Sequence, residues 1–125
     1  MAVRVLVVDD TDHVREMLTD MLSLDGFEVA GAVSGGEQAI AFVAKSPPDI
    51  VIMDFKMPAM DGITATERIR AIAPTLPVIL YSAYVDDEMQ ARAARAGVSA
   101  CIGKVEGLSM LEREISALCL DLIEH

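Results

Sequence analysis

At 125 residues, 53% of them hydrophobic, the chain is long enough for one packed domain and too apolar to be disordered. No apolar run approaches the roughly 18 residues that a membrane span needs, and ten basic against twenty acidic residues leave a net charge of −10. That charge excludes nucleic-acid binding through a cationic surface, and the absence of a basic region, greasy segment and cleavage site after Met1 points to a cytoplasmic protein.

Val3–Val8 reads as a first buried strand that ends on the acid pair Asp9-Asp10. The period then changes: Val14, Met17, Leu18, Met21 and Leu22 recur at helical spacing from about Asp12, with Thr11 or Asp12 as N-cap and Asp25-Gly26 as exit. Phe27–Val33 is a second strand. Ala39, Ile40, Phe42 and Val43 form the inner face of a second helix, which must stop before Pro47-Pro48.

Ile50-Val51-Ile52-Met53 is a continuous apolar run suited to a strand buried on both faces, and it ends on Asp54. Pro58 and Gly62 mark the loop beyond it. Ile63, Thr66, Ile69 and Ile72 predict a third helix ended by Pro74, and Pro77 opens a fourth strand, Val78–Ser82. An alanine-rich helix over 86–96 closes at Gly97. Ala100–Gly103 is a short fifth strand followed at once by Lys104, and Leu108, Leu111, Ile115, Leu118 and Leu122 predict one last helix running to the end of the chain.

Five strands alternating with five helices imply a parallel sheet covered on both faces by right-handed crossovers. The expected architecture is a single flavodoxin-like α/β domain over residues 1–125, with strand order 2-1-3-4-5. Cys101 and Cys119 lack CxxC or metal-ligand spacing and read as reduced, buried small residues. His13 and His125 are too isolated to suggest a metal site.

In this topology the ends of strands one, three, four and five carry Asp9-Asp10, Asp54, Ser82 and Lys104 to one cleft. Three carboxylates held together repel one another, so a hard cation is expected among them. Mg²⁺ suits oxygen ligands in octahedral geometry beside phosphate oxygens. The chemistry this implies is phosphoryl transfer, with Asp54 as nucleophile, Lys104 and the cation neutralising the phosphoryl oxygens, and Ser82 offering a hydroxyl that can turn toward the new group.

These features, with Met57-Pro58-Ala59-Met60-Asp61-Gly62 after the third strand and Ser82-Ala83 after the fourth, resemble the receiver domains of two-component response regulators over essentially the whole chain. The resemblance implies a signalling phosphoacceptor rather than an enzyme, one that assists its own phosphorylation and dephosphorylation. Asp54 would take phosphate from a sensor histidine kinase or phosphotransfer protein. Asp10, Asp54 and the backbone carbonyl of Lys56 would ligate Mg²⁺, with Asp9 supporting the ion through a water, and Ser82 and Lys104 would contact the phosphoryl oxygens. The implied output surface is helix four, strand five and helix five, where Arg92, Arg95 and Arg113 meet Asp86, Asp87, Glu112 and Glu114 and a homodimer could form.

Two positions depart from the family pattern. Cys101 stands where an aromatic usually moves inward with the Ser or Thr, and Val105 follows the lysine where many members have proline, so a trans bond is expected there. Lys56 and Tyr84 hold the positions that flank the path of the hydrolytic water in the family, and the Tyr84 ring is expected to shield the acyl phosphate. Other readings fit less well. A haloacid-dehalogenase-like phosphatase needs an acid where Lys56 stands, and a flavin-phosphate loop would be repelled by Asp9-Asp10. A pseudo-receiver acting by protein contact alone is suggested by Cys101 but opposed by the intact acids and Lys104.

Overall fold

The computed structural model describes residues 2–124, and among them five strands form one parallel sheet in the order 2-1-3-4-5. The strands are β1 (Arg4–Val8), β2 (Glu28–Val33), β3 (Ile50–Met53), β4 (Val78–Ser82) and β5 (Ala100–Gly103). Between and after them lie α1 (Asp12–Leu24), α2 (Gly36–Lys45), α3 (Gly62–Ile72), α4 (Asp87–Ala96), α5 (Leu108–Leu118) and α6 (Leu120–Glu124). Every residue of β3 and β4 is buried, as continuous apolar runs in a sheet covered on both faces require.

Alternation along the strands divides the interior into two cores. Leu6, Val8, Val51, Met53, Val78 and Leu80 point to one face and pack with Ala39, Val43, Ile63, Ile69 and Ala93 from α2, α3 and α4. Val5, Val7, Ile50, Ile52, Ile79 and Ile102 point to the other and meet Leu18 and Leu22 of α1 with Leu111 and Ile115 of α5. Each such leucine or isoleucine contributes roughly 1.5–3 kcal/mol by leaving water. No described helix is long and apolar enough to cross a membrane.

The fold agrees with the sequence reading in order and topology and differs in local detail. The last helix is not continuous. It breaks at Cys119, where a backbone bond from Leu122 N to Cys119 O replaces the helical pattern, and Leu122 lies outside the apolar stripe at 36% exposure. Cys119 itself is buried, so the stripe ends on the residue that breaks it. A 3-10 turn over Lys104–Glu106, unexpected from the sequence, separates β5 from α5, and Glu106 stabilises it by accepting from Gly103 N at 2.8 Å. Asp86 lies outside α4 as its N-cap, accepting from Met89 N at 2.8 Å. His125 lies outside the described residues.

β2 pairs with β1 through a bulge: Val5 faces Val29 but Leu6 faces Gly31, so Ala30 is extra. A Cβ at Gly31 would stand 2.5 Å from the Phe42 ring, so a side chain there would have to displace that ring. At the amino edge of the sheet, Arg70 joins two helix ends. It donates to Gly97 O from Nε and Nη2 at 3.2 and 2.9 Å, and to Ala73 O from Nη1 at 3.0 Å.

Candidate functional site

The carboxyl edge of the sheet brings together residues far apart in the chain. Asp9, directly after β1, is 1% exposed, and its Oδ1 accepts from Thr11 N at 2.9 Å. This tight turn starts α1. Thr11 is the N-cap residue by position, yet its side chain makes no capping bond. Arg15, one turn into α1, donates to the Asp9 carbonyl at 2.7 Å and fixes the same turn from the helix side.

Asp54 follows β3 and is 7% exposed. Its own N–H donates to Val8 O at 2.9 Å, which registers it beside the acid pair. One carboxylate oxygen from each of Asp9, Asp10 and Asp54 lies within 4.8 Å of the others, with Asp10 exposed to solvent and the other two buried. The loop beyond is packed against Asp54 itself: a Cβ on Gly62 would stand 2.1 Å from the Asp54 carbonyl oxygen. Ala59 in that loop takes a left-handed φ of 69°, the one described non-glycine residue to do so.

Lys104 reaches the acids from β5. Its Nζ donates to Asp9 Oδ2 at 3.0 Å and lies 3.6 Å from Asp54 Oδ1. Burial and the neighbouring Asp9 push the Asp54 pKa up to about 6, with Lys104 opposing them. Burial disfavours the Lys104 charge, but the hydrogen bond to Asp9 and the fields of Asp54 and Asp9 outweigh it and raise its pKa.

Ser82 ends β4 and is buried, but its hydroxyl donates to Tyr84 O at 3.0 Å rather than to the acids. Tyr84 is 71% exposed on the lip of a cleft of about 640 Å³ that begins at Asp54 and is also lined by Phe55, Lys56, Ser82, Met89, Arg92 and Lys104. Lys56 is exposed. Cys101 is half-buried and packs against the core formed with α2, α3 and α4, and all described peptide bonds are trans, including that of Val105.

The sequence profile of the response regulator receiver domain matches residues 5–116. The chain belongs to that family. This receiver domain is 40% identical over 104 residues to chemotaxis protein CheY of Thermotoga maritima, covering 83% of this chain and 87% of that protein. It superposes on the response regulator domain of Thermotoga maritima CheB with a TM-score of 0.78 and 31% identity, over 99% of this chain and 95% of that one. It superposes on the CheX-CheY-BeF3-Mg complex from Borrelia burgdorferi with a TM-score of 0.85 and 27% identity, over 93% and 88%. Against several longer curated relatives the chain spans only 20% to 53% of their length.

Of the residues read from the sequence, the receiver domain brings Asp9, Asp10, Asp54 and Lys104 into one cluster and sets Ser82, Lys56 and Tyr84 around the adjoining cleft. Sequence reasoning missed the far wall. Phe55, Met89 and Arg92 line it, and Arg92 donates to Asp61 Oδ2 at 3.0 Å across 31 residues. Phe55 adjoins Asp54 in sequence, which is a usable signal, whereas Arg92, read from the sequence as a charge of the output face, turns instead to the cleft and Asp61.

Proposed function

We propose that this receiver domain is the phosphoacceptor of a two-component system, with Asp54 as the residue that carries phosphate. One observation carries the reading: the Lys104 ammonium lies between Asp9 and Asp54 at the sheet edge where three carboxylates crowd together. A structural ion pair would need one acid, not three.

The donor set suits Mg²⁺, because all three side chains offer carboxylate oxygens within 4.8 Å and the raised pKa of Asp54 reflects burial together with a crowding of charge that a divalent cation relieves. Asp10, Asp54 and the Lys56 backbone carbonyl would hold the ion, and Asp9 would support it through water. Bound there, it would neutralise charge on the phosphoryl oxygens.

Asp54 then acts as nucleophile: a carboxylate oxygen forms a bond to phosphorus as the P–N bond to a donor imidazole breaks, and the electron pair returns to the imidazole nitrogen. Lys104 donates to a phosphoryl oxygen, exchanging its contact with Asp54 while remaining anchored on Asp9. Ser82 exchanges Tyr84 O for the phosphoryl group, which releases the loop after β4. Tyr84 shields the acyl phosphate from water, and Cys101 leaves the β5 position without an aromatic ring to follow Ser82.

The donor is a histidine kinase or phosphotransfer protein, the domain works in the cytoplasm, and the output face is α4, β5 and α5, through which a homodimer forms. Residues 1–125 act as one receiver module. The named CheY complex with BeF3 and Mg supports the phosphoryl reading for this chain by its likeness. Incubation with Mg²⁺ and labelled acetyl phosphate should label the protein, and Asp54→Asn should abolish the label. An unlabelled parent, or a labelled variant, would overturn the proposal.

A further inference from the structure

Two cations besides Lys104 line the cleft, Lys56 and Arg92, and of these Arg92 is the one held in an ion pair. Its Nη2 donates to Asp61 Oδ2 at 3.0 Å and to Thr64 Oγ1 at 3.3 Å, and its guanidinium carbon lies 5.9 Å from the centroid of the Phe55 ring. This resting place is a weak one. The side chains are 42% and 29% exposed, and water screens most of the attraction in an ion pair so open to it. Asp61 does not depend on it, because its Oδ1 also caps α3 by accepting from Thr64 N at 2.8 Å.

Charge balance gives Arg92 a better partner. With a divalent ion in place, the three carboxylates are matched by the ion and Lys104. A phosphoryl group on Asp54 replaces one negative charge by about two, so one is left over inside a partly closed cleft. A guanidinium meets phosphoryl oxygens in a planar, bidentate fork, with charge-assisted hydrogen bonds stronger than those of an exposed pair.

We propose that Arg92 is a phosphoryl-binding residue of this site, held on Asp61 while Asp54 is free and transferred to the phosphoryl oxygens once Asp54 is loaded. The inference rests on Asp54 being the phosphoacceptor. Because Arg92 belongs to α4, its transfer displaces that helix, and the site gains a connection to its output face that does not pass through position 101.

The test is a titration of beryllofluoride, at saturating Mg²⁺, into the parent, Arg92→Gln, Asp61→Asn and the double variant, read from the fluorine NMR signal of the bound anion. Arg92→Gln should weaken binding about tenfold. Asp61→Asn keeps the cap through its amide oxygen but frees Arg92, and should tighten binding about threefold. That gain should vanish in the double variant. Loss of folding cannot produce tighter binding, so an Asp61→Asn variant that binds no more tightly than the parent also overturns the role of Arg92, even where Arg92→Gln is unstable. Unchanged affinity in Arg92→Gln, or a gain from Asp61→Asn that persists in the double variant, overturns the role of Arg92 alone. A parent that takes up no beryllofluoride overturns the phosphoacceptor reading, and the role of Arg92 with it.

Discussion

Lys104 donates to Asp9 at 3.0 Å but stands 3.6 Å from Asp54, so the lysine of the acid site is anchored on the carboxylate after β1 and leans toward the one after β3. Lys104→Met therefore strands the Asp9 carboxylate, whose side chain is 2% exposed. The variant should lose about 2–3 kcal/mol at neutral pH without added metal. Urea denaturation checks this, and saturating Mg²⁺ should restore part of the loss.

Asp54→Asn should act in the opposite direction. The pKa of Asp54 is raised to about 6 from 3.8, so its proton favours the folded state, and the stability it contributes is full below pH 3.8 and lost as pH rises through 6. Removing the charge should stabilise the metal-free protein at pH 7.5 by about 2 kcal/mol, with little effect at pH 4. Thermal unfolding at the two pH values tests it. Mg²⁺ should stabilise the parent and leave the variant nearly unchanged.

A second crowded acid lies away from the site. Burial and the adjacent Asp25 carboxyl raise the Glu112 pKa from 4.5 to about 7, and its Oε2 is buried without a hydrogen-bond partner. The sign is again that of a raised acid: stability present below pH 4.5 is lost as pH rises through 7. Glu112→Gln should raise the melting temperature at pH 8 and leave it close to the parent's at pH 4.5. An equal shift at both values would refute the link to titration.

The loop after β3 supports a paired prediction. Ala59→Gly relieves a left-handed φ and should stabilise by about 0.5–1 kcal/mol. Gly62→Ala drives a methyl group into the Asp54 carbonyl and should cost more than about 3 kcal/mol. Denaturant midpoints of the two variants should fall on opposite sides of the parent's.

Much of this protein was legible in its sequence because the relevant signals are local. Apolar runs such as Ile50–Met53 set buried strands, and the residue that ends each run is placed at the edge of the sheet by topology alone. That places Asp9, Asp10, Asp54 and Lys104 before any coordinate is known. Other features depend on contacts between distant surface residues, which no period encodes. The Arg92–Asp61 pair and the meeting of Glu112 with Asp25 are of this kind. The break at Cys119 was hidden by Leu122, which continues the three-and-four spacing although the chain has already turned. Gly31 gave no sign of a bulge, since its need for a missing side chain arises only when the Phe42 ring arrives from α2.

Arg70 grips the carbonyls at the tail of both α3 and α4, far from the acids, while Arg92, midway along α4, reaches Asp61 at the head of α3. Such an arrangement would let α4 swing about a fastened tail. The ten residues of α4 form a lever about 15 Å long, so a tilt of about 10° moves its head by roughly 2–3 Å while its tail stays in place. On the proposed transfer of Arg92, a change of one charge at Asp54 would be magnified into a displacement wide enough for another molecule to register.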